Sequence, residues 1–447
     1  MRKSGFNQIQ SAVYPVNDLM SNAGGGAHPY RKLLFALSIQ SMLSQAEEAH
    51  PFDRHAISKP FLEFPLIVRL ILRFGKVGGR QVNRSFWQTL PKPIVGLSPM
   101  DGVTDAAFRF IAAKHGRPDI IFTEFTHVEG IGRGIPAVLR NLQYNKIERP
   151  VVAQIFGSEP QAFYKAAHIL GRLGFDGIDI NMGCPDRAIA ARGCGAALIQ
   201  TPKVAQGIIR ATQEGARDFA EGMPLERIGL SETTCQIVGQ MASRMELDGA
   251  SPKLLPVSVK TRLGYDRVVI EDWIGHLLEM EPAAVTIHGR TLKQGYRGSP
   301  DWDAIGRATE IAQPTPTLLL GNGNILTPED ASRRISQYGV DGVLIGRGAM
   351  GNPWFFQNND LIRSAVETQN FASLPAWGIQ QNRWEVALEH AAFFDRIRGT
   401  IPFPVMRKQL GWYARGKEGG LRSALVRVTS LAELTQLLAP VLSCVSS

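Results

Sequence analysis

From Lys92 onward the chain alternates between short apolar runs rich in β-branched residues and longer stretches of mixed polarity. The runs are PIVGLSPM (93–100), DIIFTEF (119–125), PVVAQIFG (150–157), GIDINMG (177–183), PVSVKTR (256–262), AVTIHGR (284–290), TLLLGNG (317–323) and GVLIGRG (342–348). Each is almost continuously hydrophobic, as expected of strands buried on both faces, and each ends in a polar or glycine-rich segment. The stretches between them carry helix signals. Ser158 and Gln161 have capping-box spacing, and Thr327 stands as an N-cap before Pro328 at the first helical position. Eight strand–helix units in succession predict a (β/α)8 TIM barrel over residues 92–355. A doubly wound open sheet would need a glycine-rich turn after its first strand, and SPMDGVTD has no G-x-G-x-x-G.

The pattern fails in three places. Residues 1–91 show no alternation and cluster Gly, Ala, Ser and Asn in SNAGGGAHPY. They read as a flexible extension, with a basic arm as the alternative. Within them FLEFPLIVRLILRFG (61–75) is expected to form an amphipathic helix that packs on the main domain, with a membrane surface as its alternative. Residues 216–253 exceed an ordinary βα loop and read as a partly helical insertion. After about residue 355 the strands stop. WEVALEHAAFFDRIRG, PVMRKQLGWYARG and LRSALVRVTSLAELTQLLAPVL read as helices of a small all-helical C-terminal domain, 356–447. Residues 383–427 carry nine Lys and Arg against four Asp and Glu, a basic surface in prospect.

Composition narrows this picture. The 447 residues are 44% hydrophobic and 20% charged, enough to bury a large core. The net charge of +9 is compatible with an anionic partner. Cys184, Cys194, Cys235 and Cys444 form no CxxC pair, which argues for a reducing compartment and against a disulfide framework or a zinc site. No run is long enough to span a bilayer, and the start has no signal-peptide hydrophobic region. A cytoplasmic monomer without a membrane span is expected.

In a barrel, chemistry gathers at the C-terminal ends of the strands. Met100, Glu124, Gln154, Asn181, Lys260, His288, Asn322 and Arg347 fall there. Each alone reads as an ordinary structural residue; eight at equivalent places do not. LGNGNI and IGRGAMGNP put glycines after the seventh and eighth strands, where backbone N–H groups approach a phosphate closely. Arg347 adds a charge-assisted contact, and Lys260 suits an electron-rich ring or its phosphate. NMGCP ends the fourth run, and Pro185 forces a turn there. Asn181 and Cys184 should therefore face the cavity mouth, with the thiol an acid, a nucleophile or a metal ligand. Cys194, between glycines, reads as a small packing residue.

LSPMDGVTDAAFR, PVVAQIFGSEP, DINMGCP, GCGAALIQTP, VSVKTRLGYD, TIHGRTLKQGYRGSPDW, LLGNGNI, VLIGRGAMGNPWFF and MRKQLGWYARG run in order from about residue 93 to 430. In these segments the chain resembles the tRNA-dihydrouridine synthases of bacterial type, FMN-dependent oxidoreductases that reduce uridine in tRNA. NMGCP and the HGRT…DW segment are the specific parts of the likeness. The resemblance implies that Pro99, Met100, Asp101, Gln154, Lys260 and His288 line FMN. It places Asn322, Gly323, Asn324, Gly346 and Arg347 at the phosphate end. It makes Cys184 the proton donor and NADPH the reductant. Asn181 and Arg290 are candidates for holding the uracil, and Arg407, Lys408 and Arg415 for gripping tRNA. Two departures stand out: DRAIAARG replaces lysines after GCP, with Arg187 or Arg192 to restore charge, and NGN replaces NGD. The rivals are an FMN-dependent small-molecule oxidoreductase resembling dihydroorotate dehydrogenase, which needs no basic helical tail, and a non-catalytic RNA-binding barrel, which needs no Cys184.

Overall fold

The computed structural model describes residues 85–246, 252–371, 383–415 and 420–443. The helix expected at 61–75, together with Lys417, Glu418 and Cys444, lies outside the described residues. Nine strands run in chain order: β1 (Ile94–Leu97), β2 (Ile121–Phe122), β3 (Thr126–His127), β4 (Val151–Phe156), β5 (Gly177–Met182), β6 (Val257–Gly264), β7 (Ala284–Thr291), β8 (Leu318–Asn322) and β9 (Gly342–Ile345). All pairings are parallel. β1 joins β9 on one side and β2 on the other, and β2 also joins β4, so the ring closes on eight strands. Every apolar run supplies a strand of this barrel.

The second run supplies two. β2 pairs Ile121 with Val151, and β3 pairs Thr126 with Ile155 on the same neighbour, so one extra residue sits between the two pairings. That is a bulge, which bends the strand and re-aims its side chains. Glu124 lies within it.

Helices follow the strands: α1 (Ala106–His115), α2 (Pro160–Arg172), α3 (Pro202–Ala220), α4 (Glu232–Arg244), α5 (Ile270–Leu278), α6 (Trp302–Ala312), α7 (Pro328–Tyr338) and α8 (Asn359–Thr368). α7 starts as its sequence predicts, with Thr327 Oγ1 accepting the Asp330 N–H and the Asp330 carboxylate accepting the Thr327 N–H. α2 does not: its N-cap is Glu159 and not Ser158, because Pro160 sets the first helical turn one residue later. α4 lies inside the 216–253 stretch. α8 sends Ile362 and Val366 into the barrel's hydrophobic layer, which thus continues past residue 355. At the other end of the strands Trp87 is buried against Ile94, Ile120 and Ala284, so residues just before β1 close the barrel floor.

Beyond residue 382 stand α9 (Arg383–Ile397), α10 (Arg407–Tyr413), α11 (Gly420–Leu425) and α12 (Leu431–Ser443). Their own core includes Trp384, Phe394, Phe403, Met406, Leu410 and Leu434. α1 belongs to both cores: Phe108, Ala112 and Ala113 face the barrel, Ala107 and Ile111 the helical region. No described helix is long and apolar enough to cross a membrane.

Candidate active site

A cavity of about 620 Å³ opens at the C-terminal ends of the strands. Register explains which side chains meet there. Neighbouring strands place Asn181 beside Lys260, Arg262 beside His288, and His288 beside Asn322. Residues two apart on a strand share a face, so Lys260 and Arg262, and likewise His288 and Arg290, project together. The cavity brings together Pro99, Met100, Asp101, Gln154, Asn181 and Cys184 from one side. From the other come Lys260, His288, Arg290, Asn322, Gly323, Asn324, Gly346 and Arg347. The turn at Pro99–Asp101 is shaped by Thr104, whose hydroxyl accepts the Met100 N–H at 3.0 Å and donates to the Met100 carbonyl at 3.2 Å.

Cys184 is held by a chain of side chains reaching down the barrel. The Asn181 carbonyl oxygen accepts the N–H groups of Gly183 (3.0 Å) and Cys184 (2.8 Å), closing the turn that presents the thiol. The Asn181 amide donates to Gln154 Oε1 at 3.0 Å, and Gln154 Nε2 donates to Asp179 at 2.7 Å. Asp179 also accepts Ser258 Oγ at 2.7 Å. Both ends of the Asn181 amide are thus engaged in building the turn. The Cys184 thiol is pushed above its usual range by burial first, and then by Asp186 and Asp101. It is a protonated group at neutral pH, the state an acid needs and a thiolate nucleophile does not. Cys194 is buried elsewhere in the same loop, its thiol 3.6 Å from the Arg192 carbonyl.

The opposite wall is cationic and short of counter-charge. Lys260 is half-buried, with Asn322 Oδ1 at 3.4 Å, and burial followed by Arg262 lowers it to about 8. Arg290 is buried; its guanidinium donates to the Gly298 carbonyl at 2.6 Å and to Asn324 Oδ1 at 3.3 Å, while Nε has no partner. Arg347 donates to the same Asn324 oxygen. Burial, and then Arg262, Lys260, Arg290 and Arg347, hold His288 well below its usual range, so it is neutral at pH 7. Four cations around a neutral imidazole form a site ready for an anion. Backbone geometry agrees: Gly323 has φ +143° and Asn324 φ +50°, and a Cβ at Gly323 would meet the Pro300 Cβ at 2.9 Å.

The structure separates other predicted residues from this cavity. Glu124 is carried by the bulge into a smaller neighbouring cavity, which Lys408 also lines. Arg407 donates to the carbonyls of Val428 (2.8 Å) and Arg427 (2.7 Å), tying α10 to the segment after α11. Arg415 is exposed. Sequence reasoning passed over Arg262 and Tyr296. Arg262 donates to the Gly183 carbonyl at 2.6 Å, next to Cys184; its place two residues after Lys260 was the available signal. Tyr296 is 68% exposed at the cavity mouth, its ring centroid 5.7 Å from the Arg347 guanidinium carbon.

Fold and site define a class: a (β/α)8 protein with a buried thiol facing an anion-ready cationic wall at the top of the barrel. The family model for dihydrouridine synthase (Dus) matches residues 96–218 and 228–445, and the chain belongs to that family. A relative named probable tRNA-dihydrouridine synthase from Staphylococcus aureus (strain COL) is 33% identical over 364 residues, covering 80% of this chain and 95% of its own length. Probable tRNA-dihydrouridine synthase 2 of Bacillus subtilis (strain 168) is 34% identical over 291 residues, 64% of this chain and 78% of its own. Among solved structures, DHODH from Eimeria tenella in complex with ferulenol is similar at TM-score 0.43 and 13% identity, over 72% of this chain and 95% of that one. No feature of the site rests on that last likeness.

Proposed function

We propose that this chain reduces uridine in tRNA to 5,6-dihydrouridine, with FMN in the barrel cavity, NADPH as reductant and Cys184 as proton donor. The observation that carries the reading is Cys184: a buried, protonated thiol, held by the Asn181 turn and facing the cationic wall.

The residues present fit FMN. Arg347, the weakly partnered Lys260 and the glycine turns at 323 and 346 suit a dianionic phosphate and an electron-rich ring. Bound reduced FMN supplies the hydride added at C6 of the uracil. Cys184 gives its proton to C5, so hydride and proton together saturate the C5–C6 double bond. Arg262 stands beside the Gly183 carbonyl to stabilise the thiolate left behind. Asn181 acts by fixing the turn, and Arg290 is the better placed to meet a uracil carbonyl. The target base must leave its stack to reach such a site. The helical region from residue 356 is the part proposed to grip the RNA backbone, in the cytoplasm where tRNA and NADPH meet.

The test is direct. The purified protein should show a flavin spectrum and, with NADPH, form dihydrouridine in unmodified tRNA. A flavoprotein that reduces small pyrimidines and leaves tRNA untouched would overturn the proposal in favour of the small-molecule oxidoreductase.

A further inference from the structure

Beside the main cavity lies a second one of about 180 Å³, between the barrel and the helical region. One turn of chain divides the two. Met100, Asp101 and Val103 line the main cavity, while Gly102 and Asp105 line the small one. Consecutive Cα atoms are about 3.8 Å apart, so the dividing wall is only one or two residues thick.

The small cavity has walls of two kinds. Phe394, Ile397, Ile401 and Val405, from the end of α9 and the segment after it, make one side apolar. Glu124 stands on the polar side, brought there by the bulge between β2 and β3. Its carboxylate accepts the Gly102 N–H. Burial, followed by the negative charge of Asp105, raises it to about 7, against the weaker pull of Arg109 and the Gly102 N–H. Arg140 also lines the cavity, and its guanidinium has no hydrogen-bond partner among the described residues. Lys408 donates to the Gly102 carbonyl at the rim. An apolar slot with an acceptor at one edge and an unpaired guanidinium nearby meets the needs of one nucleotide. The ring lies on hydrocarbon, its edge bonds the carboxylate, and the phosphate meets the Arg.

We infer that the small cavity takes a second unstacked nucleotide of the RNA, a guanine neighbouring the reduced uridine, with Glu124 reading its edge and Arg140 its phosphate. The inference rests on the tRNA reading above and adds to it a determinant of which uridine is chosen. Glu124 lies near its midpoint at neutral pH, and guanine, with two adjacent N–H donors, N1 and N2, on one edge, selects the ionised form, which only accepts. The thin wall is what makes the occupant a neighbour, because successive nucleotides of one strand leave the two openings side by side.

Glu124→Gln tests this. It keeps the shape and an oxygen for the Gly102 N–H, but turns an N–H2 group towards the guanine. Pre-reduced enzyme is mixed in single turnover with native tRNA transcript, and with transcripts in which each guanine flanking the target is replaced singly by inosine, which lacks the N2 amino group. The variant should react about tenfold more slowly at subsaturating RNA, with unchanged flavin content and unchanged flavin reduction by NADPH. One inosine substitution should slow the wild type comparably and slow Glu124→Gln no further. Arg140→Ala should weaken every transcript severalfold and reduce the salt dependence of binding. Inosine effects equal in wild type and variant at every position would overturn the inference. So would variants that slow reduction by NADPH and leave the RNA step intact, since the nucleotide bound would then be the reductant's. A wild type that reduces no tRNA at all would refute the functional reading itself, which keeps the two failures distinct.

Discussion

Lys260, Arg262, Arg290 and Arg347 stand at strand ends, and among the described residues no carboxylate lies within salt-bridge distance of any of them. In the helical region the basic residues sit differently. Arg398 pairs with Asp395 at 2.7 Å, Arg407 caps two backbone carbonyls, and Lys408 holds the Gly102 carbonyl. The first group is charge left without a carboxylate in a confined space; in the second, Arg398, Arg407 and Lys408 are used to fasten elements together. A tally of Lys and Arg treats the two alike. The structure separates them by setting: four cations converge on one cavity, whereas those of the helical region either fasten elements or, as at Arg415, Arg422 and Arg427, lie exposed on the surface.

Substitutions can sharpen or break this contrast. The largest effect is expected inside the cavity. Cys184→Ala should keep its flavin and lose about 10²–10⁴-fold in single-turnover uridine reduction, while Cys194→Ala behaves as wild type. Undiminished turnover would remove Cys184 from the chemistry. Arg347→Ala takes away a charge-assisted contact of about 1.5–3 kcal/mol, so titration of apoprotein with FMN should show affinity lower by about 10–100-fold. Equal affinity would move the phosphate elsewhere. Lys260 makes the cavity pH-sensitive. Below about 8 it is charged and can pair with an anion; above, it is neutral. FMN affinity of the apoprotein should therefore fall as pH rises through 8, by at most about tenfold per unit, and Lys260→Gln should flatten the profile. In the helical region the effects should be smaller and divided. Arg407→Ala should lower thermal stability by about 1 kcal/mol, through its lost carbonyl contacts. Arg415→Glu should leave stability unchanged, weaken tRNA binding a few-fold, and lessen the salt slope by about one. If Arg407→Ala weakens RNA binding without touching stability, Arg407 meets the RNA and does not fasten α10.

The barrel was readable because its strands are buried on both faces, and continuous hydrophobicity at regular spacing has few other causes. The same spacing located the strand ends, so Cys184, Lys260, His288 and Arg347 could be named together. What was not readable depends on partners far away in sequence. The bulge that turns Glu124 out of the cavity is set by how β2 and β3 each register on β4. The end of the barrel layer was misplaced at 355 because α8 looks like any amphipathic helix until its apolar side meets the barrel. Ser158 had cap spacing, but Pro160 gave the position to Glu159. Arg262 was within reach, since alternation along β6 already put it on the face of Lys260.

α1 has a consequence for how the molecule comes apart. Its opposite sides fill two hydrophobic cores, with Phe108 and Ala112 in one and Ala107 and Ile111 in the other. Melting either core strips apolar neighbours from the helix that completes the second, so neither has an intermediate to rest in. Barrel and helical region should lose structure in a single cooperative transition, with calorimetric and van't Hoff enthalpies in agreement over residues 85–443. A cut in the chain near residue 372 should then yield two fragments that stay associated, and a barrel expressed alone should aggregate through the exposed side of α1.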